Sequence, residues 1–301
     1  MGADRLRLGD YDMSEMRQHY VRCLSPEGFH RMAYTEWGDT ANPKVLVCVH
    51  GLTRVGRDFD FLAAALADDF RVVCPDVVGR GRSDWLKNKA LYGIQQYCAD
   101  MASLLARLNA EQVDWLGTSM GGLIGMTLAA QSNTPIARLI LNDVGPLISA
   151  EAIARIAAYV GKSPRFVSQE DAEAYVRYVH APFGNLSCSQ WGHLALHSTR
   201  PAQGGAGYEM AYDPGIAEPF RQTMSGEGAG KDVELWPLYD AITCPTLVLR
   251  GEHSDLLSRE TVAAMAQRGP KAHGVEVPGV GHAPPFMDGA QITLVEGFLL
   301  A

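Results

Sequence analysis

WLGTSMGGLIG, residues Trp115 to Gly125, decides the reading of this chain. A short apolar run climbs to Gly117. Ser119 then stands between Thr118 and Met120, and Gly121, Gly122 and Gly125 follow. The stretch Gly117–Gly121 fits G-x-S-x-G, in which a serine on a sharp strand-to-helix turn is pushed out above a sheet. Such a turn is strained, so its neighbours must lack side chains that would clash. Gly117 and Gly121 supply that room, and Gly122 and Gly125 let the following helix lie close to the sheet. The pattern is short and common by chance, so its weight comes from the context: an apolar run before it and a helix-like run, GLIGMTLAAQ, after it.

Outward from this turn the chain alternates strand and helix. KVLVCVH (44–50), RVVCPD (71–76), QVDWLG (112–117), ARLILND (137–143) and PTLVLRG (245–251) are apolar runs without alternation. Parallel strands covered on both faces read this way. FDFLAAALADD (59–69) and YGIQQYCADMASLLARLNA (92–110) carry helical spacing between them. The pattern predicts an α/β fold with a mostly parallel sheet. HYVRCLS and FHRMAYTEWG alternate, as an antiparallel edge hairpin does. From Val144 to Trp236 no strand run is visible. SAEAIARIAAYV (149–160) and SQEDAEAYVRYV (168–179) read as helices, the second with a serine cap and an acid three residues on. The chain is therefore expected to divide into core 1–143, a helical insertion 144–236, and core 237–301.

A serine hydroxyl needs a base, and the base needs an orienting carboxylate. With this turn the expected chain order is serine, acid, histidine. GEHSDLLS (251–258) follows a strand run and offers Asp255; GVGHAPPFM (279–287) follows the run GVEVP and offers His282. Glu252 and Asp143 also follow strand ends and compete with Asp255. Asp143, in LNDVGP, reads as a structural turn residue. HGLTR (50–54) follows the first central strand and suggests that the Leu52 N–H faces the site, with the Met120 N–H as second oxyanion donor. His50 reads as an orienting histidine.

The remaining features bound the function. The chain has 301 residues, is 47% hydrophobic and carries a net charge of −8. An acidic chain is a poor partner for nucleic acid or an anionic membrane. No run is long enough to span a bilayer, and the charged N-terminus lacks a signal-peptide core, so a cytoplasmic protein is expected. The six cysteines form no C-x-x-C pair and read as reduced, mostly buried residues. His193 and His197, four apart in GHLALH, have metal-binding spacing, but no third ligand is evident, and neither metal nor cofactor is expected.

HGLTR, DVVGRGRSD, GTSMGG, GEHSD and GVGH, in this order and over nearly the whole chain, resemble the α/β-hydrolase superfamily. The resemblance implies an eight-stranded sheet flanked by helices, with a helical cap after the sixth strand. It also implies Ser119 as nucleophile, Asp255 as acid and His282 as base. DVVGRGRSD looks like the family's structural turn, so Asp76, Gly79 and Gly81 are assigned no chemistry. Haloalkane dehalogenases and epoxide hydrolases of this fold carry aspartate at the elbow, and Ser119 argues against both.

The expected reaction is hydrolysis of a small-molecule carboxylic ester, thioester or lactone through an acyl-enzyme. C–C bond hydrolysis of a vinylogous diketone is the alternative within the triad chemistry, and a basic cap pocket would favour it. Acyl transfer and cofactor-free perhydrolysis share the same triad. A non-catalytic binding protein is the alternative of another class. Arg54 could meet a substrate carboxylate. Phe183, Trp191, Tyr208, Met210 and Trp236 are candidates to line an apolar pocket. Monomer and homodimer both remain open.

Overall fold

The computed structural model describes residues 7–8, 11–12, 16–225 and 230–301. Most of the charged N-terminal stretch and residues 226–229 of the insertion lie outside them. Eight strands form one sheet: β1 (Arg17–Ser25), β2 (Gly28–Trp37), β3 (Val45–Val49), β4 (Arg71–Pro75), β5 (Val113–Thr118), β6 (Ile136–Asn142), β7 (Thr246–Gly251) and β8 (His273–Val277). Their spatial order is β8-β7-β6-β5-β3-β4-β2-β1. The N-terminal pair is antiparallel, with His19 opposite Tyr34, and β2 runs antiparallel to β4. Every other pairing is parallel.

Both faces are covered, which is why the strand runs show no alternation of polarity. On β3, Val45, Val47 and Val49 face one core and Leu46 and Cys48 the other. The first core is closed by α2 (Ile94–Leu108) and α3 (Met120–Ala129), through Met101, Leu104 and Ile124. The second is closed by α1 (Asp60–Leu66) and the C-terminal helix (Gly289–Leu299), through Leu62, Leu66, Val295 and Leu299. Each such side chain contributes roughly 1.5–3 kcal/mol on burial.

The chain steps from β3 to β4 on one side and then crosses to β5 on the other. The carboxyl ends of β3 and β5 therefore flank a point where the strand order reverses, and open sheets form a crevice there. Helix α3 approaches this point at contact distance. A Cβ on Gly121 would lie 2.0 Å from the Val49 carbonyl oxygen, and one on Gly117 would lie 2.2 Å from the Gly121 carbonyl oxygen. Trp115 Nε1 donates to that same Gly121 oxygen at 3.1 Å.

Between β6 and β7 the chain carries α4 (Ala150–Tyr159), α5 (Gln169–Val179), α6 (Cys188–Ser198), α7 (Glu218–Ser225) and α8 (Trp236–Asp240). Ser149 caps α4, and Ser168 with Asp171 forms a capping box on α5. This span also holds strands that the sequence reading lacked. Arg165–Phe166, Tyr208–Met210 and Thr199–Pro201 make a three-stranded sheet, and Leu147–Ile148 pairs with Val233–Glu234. Two or three residues are too few to establish a period, so the pattern could not reveal them. The Gly-rich PAQGGAGYEM is the hairpin joining two of them.

Gly121→Ala is expected to cost about 1–3 kcal/mol or more, because its new methyl meets backbone that cannot yield. Gly289→Ala, with open space around it, should stay near wild type. Urea unfolding of the two variants measures the difference, and equal stabilities would contradict the tight elbow.

Candidate active site

Ser119 follows β5 and adopts φ 52°, ψ −113°, a conformation that costs a non-glycine residue about 1–3 kcal/mol. Backbone contacts hold it there. Its N–H donates to the Asn142 carbonyl at 3.0 Å, and its own carbonyl accepts from Gly122 and Leu123 at 2.9 and 3.1 Å. The hydroxyl lies 3.1 Å from His282 Nε2.

His282 Nδ1 lies 2.7 Å from Asp143 Oδ2. Asp143 is 0% exposed and follows β6 directly, as Ser119 follows β5. Thr118 and Asn142 are register partners, so the next residues of the two strands emerge side by side. Asp143 Oδ1 also accepts the Gly251 N–H at 2.9 Å, and Oδ2 accepts the Ser254 hydroxyl at 2.6 Å. A carboxylate accepting at Nδ1 fixes the proton on that nitrogen, and Nε2 is left to accept from Ser119.

The structure corrects the expected acid. The side chain of Asp255 is 55% exposed and pairs with Arg155, away from His282. Its loop does reach the site, but through Ser254 and the Gly251 N–H. Asp143 was legible as a strand-end acid but not as a partner of His282. What would have shown it is the matched ending of β5 and β6, a tertiary fact. Glu252 Oε2 accepts the Gly279 N–H at the surface.

Leu52 and Met120 both line the cavity that holds Ser119. As the first residue of α3, Met120 has an N–H without an intrahelical partner. The Leu52 N–H is aimed by its neighbour. His50 Nε2 accepts the Val77 N–H at 2.9 Å, so its proton sits on Nδ1 and is donated to the Gly51 carbonyl at 2.7 Å. In a trans peptide the N–H points opposite to that carbonyl, so the Leu52 N–H turns away from His50. Burial pushes the His50 imidazole down to about 3, which keeps it neutral.

Arg80, from the turn assigned no chemistry, supports the same peptide. It is 0% exposed, and its Nε donates to the Leu52 carbonyl at 2.8 Å. Nη1 donates to the Val78 carbonyl and the Tyr97 hydroxyl, and Nη2 lies 3.5 Å from Met120 Sδ. Among the described residues no carboxylate forms an ion pair with Arg80. Asp76 in that turn accepts the Gly56 and Arg82 N–H groups, a structural role.

The cavity measures about 330 Å³, and among the described residues none that lines it is charged. Ile148, Ile153, Ile156, Ile216 and Phe220 of the 144–236 span supply one wall, and Tyr97 and Leu123 supply another. The aromatic candidates lie elsewhere. Trp191 packs with Phe61, Val176 and Met287, and Trp236 is edge-on to Tyr239 beneath Arg268. Tyr208 sits in the small sheet opposite Phe166 and Pro201, and Met210 is core. Arg54 and Phe183 line a second, smaller cavity. His193 and His197 do meet a third potential ligand, Asp60, which only the tertiary fold brings near. Arg57 Nε donates to Asp60 Oδ2 at 2.6 Å, and His193 Nε2 lies 2.9 Å from the Arg57 carbonyl oxygen. Burial lifts the Asp60 carboxyl to about 7 in spite of Arg57.

A family model described as alpha/beta hydrolase fold matches residues 44–288. This chain belongs to that family of enzymes. It is 53% identical over 284 residues to a 3-hydroxybutyrate-oligomer hydrolase of Cupriavidus necator, an alignment covering 94% of this chain and 97% of the relative. It is 27% identical over 238 residues to a 2-(acetamidomethylene)succinate hydrolase of Mesorhizobium japonicum, covering 79% and 81%. A crystal structure of an alpha/beta hydrolase from Novosphingobium aromaticivorans superimposes with TM-score 0.82 at 39% identity, covering 95% of this chain and 98% of that one. Among the described residues no helix is long and apolar enough to cross a membrane.

The buried neutral His50 has a consequence for stability. Its folded pKa lies below its unfolded value, so its contribution is complete above about pH 6.5 and is lost as pH falls toward 3. Between pH 6.5 and 5, wild type should lose about 1 kcal/mol per pH unit more than His50→Gln, the slope steepening toward about 1.4 kcal/mol at the acid end. Urea unfolding at several pH values measures the two slopes, and parallel slopes would show that the ring is not held neutral.

Proposed function

We propose that this enzyme hydrolyses carboxylic esters, specifically short oligomers of a 3-hydroxy acid, through an acyl-enzyme on Ser119. One observation carries the reading: Ser119 Oγ, His282 Nε2 and Asp143 form a continuous hydrogen-bonded chain at the wall of an apolar cavity. The substrate class is supported by the relative that shares 53% of its residues over nearly its full length.

Ser119 Oγ attacks the ester carbonyl carbon while its proton passes to His282 Nε2. The oxyanion rests on the Leu52 and Met120 N–H groups. Collapse breaks the C–O bond, and the alcohol leaves with the proton from His282. Water then attacks the acyl carbon, gives a proton to His282, and frees the acid and Ser119. Asp143 orients the imidazole and stabilises the imidazolium formed in each half. The span 144–236 is read as a cap whose isoleucines admit the acyl part. Its apolar lining speaks against the C–C hydrolase alternative, for which a basic pocket is the natural form. A complete triad likewise speaks against a non-catalytic binding protein.

Hydrolysis of a 3-hydroxybutyrate dimer by four forms tests the assignment. Ser119→Ala should lose about 10⁶-fold in kcat and Asp143→Asn about 10⁴-fold. Asp255→Asn should stay within about twofold, as a surface group does. A large loss in Asp255→Asn with little in Asp143→Asn would reverse the choice of acid.

A further inference from the structure

The smaller cavity has a volume of about 30 Å³. It is lined by Gly51, Arg54, Thr118, Phe183, the segment Ala283–Phe286 that directly follows His282, and Asp58, whose carboxylate is taken up by Arg54. A Cβ on Gly51 would stand 3.7 Å from both Arg54 Cγ and Ser119 Cβ, so Arg54 and Ser119 flank the same glycine. Arg54 is only 5% exposed. Asp58 takes two edges of its guanidinium, Nε and Nη2, each at 2.7 Å. Nη1 is buried and has no hydrogen-bond partner among the described residues. Leaving a charged donor buried and unpaired costs more than leaving a neutral one, so the site is poised for an acceptor. Asp58 holds the fork still, and its restricted motion lowers the entropy lost on binding.

We propose that Arg54 Nη1 binds a free carboxylate on the alcohol part of the substrate, so that the enzyme cleaves the ester next to the acid end of a hydroxy-acid oligomer. The proposal rests on the ester-hydrolase reading above. His282 delivers its proton to the departing alcohol, and the chain that follows His282 lines the small cavity, which puts the leaving group on that side. In an ester of a 3-hydroxy acid, the carboxylate carbon is three bonds from the ester oxygen. A carboxylate would fill a space that holds only one or two waters. Thr118 Oγ1 accepts the Asn142 amide at 2.9 Å and keeps its own O–H as a second donor at the cavity wall. The large apolar cavity then receives the acyl part. His180, whose imidazole is held well below its usual range by burial and by Arg54, adds no competing positive charge.

Two substrates separate the terms: the 3-hydroxybutyrate dimer with a free carboxylate, and its neutral methyl ester. Wild type should prefer the acid, and Arg54→Met should lower the acid-to-neutral ratio of kcat/KM by about 10- to 100-fold, the range expected for one charge-assisted hydrogen bond. Arg54→Lys should recover part of the ratio. Equal losses on both esters, or a wild type that prefers the methyl ester, would overturn the subsite and leave the ester reading standing. Calorimetric titration with 3-hydroxybutyrate is read independently of turnover. Ser119→Ala should bind it at least 10-fold more tightly than Ser119→Ala/Arg54→Met. Hydrolysis of neither ester with that binding difference intact would overturn the reaction and keep the subsite. Equal binding by the two forms would remove the subsite. Should Arg54→Met fail to fold, the wild-type preference and Arg54→Lys decide.

Discussion

The site depends on a backbone contact with no room to spare. Helix α3 enters so close to β3 that Gly121 touches the Val49 carbonyl, and Gly117 touches Gly121 in turn. This approach fixes where the strand-to-helix turn can lie. It holds Ser119 in a conformation that serine would otherwise avoid, and it sets Met120 and Leu52 on the wall of one cavity. The hydrogen bond from Ser119 N–H to Asn142 then joins the turn to the next strand. Asp143, His282 and the Leu52 and Met120 N–H groups are placed relative to that junction.

A division of labour follows from the crevice between β3 and β5. Groups that face the reacting atoms are few, and each is held by a neighbour that does not touch them. His50 turns the Gly51 peptide, Arg80 holds the Leu52 carbonyl, and Ser254 with the Gly251 N–H holds Asp143. His50 and Arg80 are buried and Ser254 is half-buried, and each makes two or more hydrogen bonds that leave it little freedom. Arg80 brings a cation into the interior with no ion-pair partner among the described residues. It does so between the Tyr92 and Tyr97 rings, whose faces are electron-rich.

Much of the fold could be read from local pattern. The covered strands, the edge hairpin, the helices α2, α4 and α5 and the serine turn all announce themselves over five or more residues. Ser119 and His282 were legible because glycine-bearing loops mark them. Three kinds of feature were not. The small strands of the 144–236 span are too short to carry a period. Asp143 owes its role to its strand ending level with a neighbour's. The pocket lining comes from isoleucines on α4 and neighbouring segments, whereas the large aromatics that look like pocket residues serve packing. Arg54 was visible as a charge, but its locked fork and free Nη1 exist only in the folded chain.

The three groups that meet in the triad are far apart along the polypeptide. His282 lies 139 residues beyond Asp143 and 163 beyond Ser119. During synthesis, Ser119 and Asp143 leave the ribosome well before His282. A partly made chain therefore holds Ser119 and Asp143 without the imidazole that joins them. The hydrogen-bonded chain from Ser119 to Asp143 closes only when the segment after β8 docks against the sheet. Order of emergence thus makes completion of this site coincide with near-completion of the chain itself.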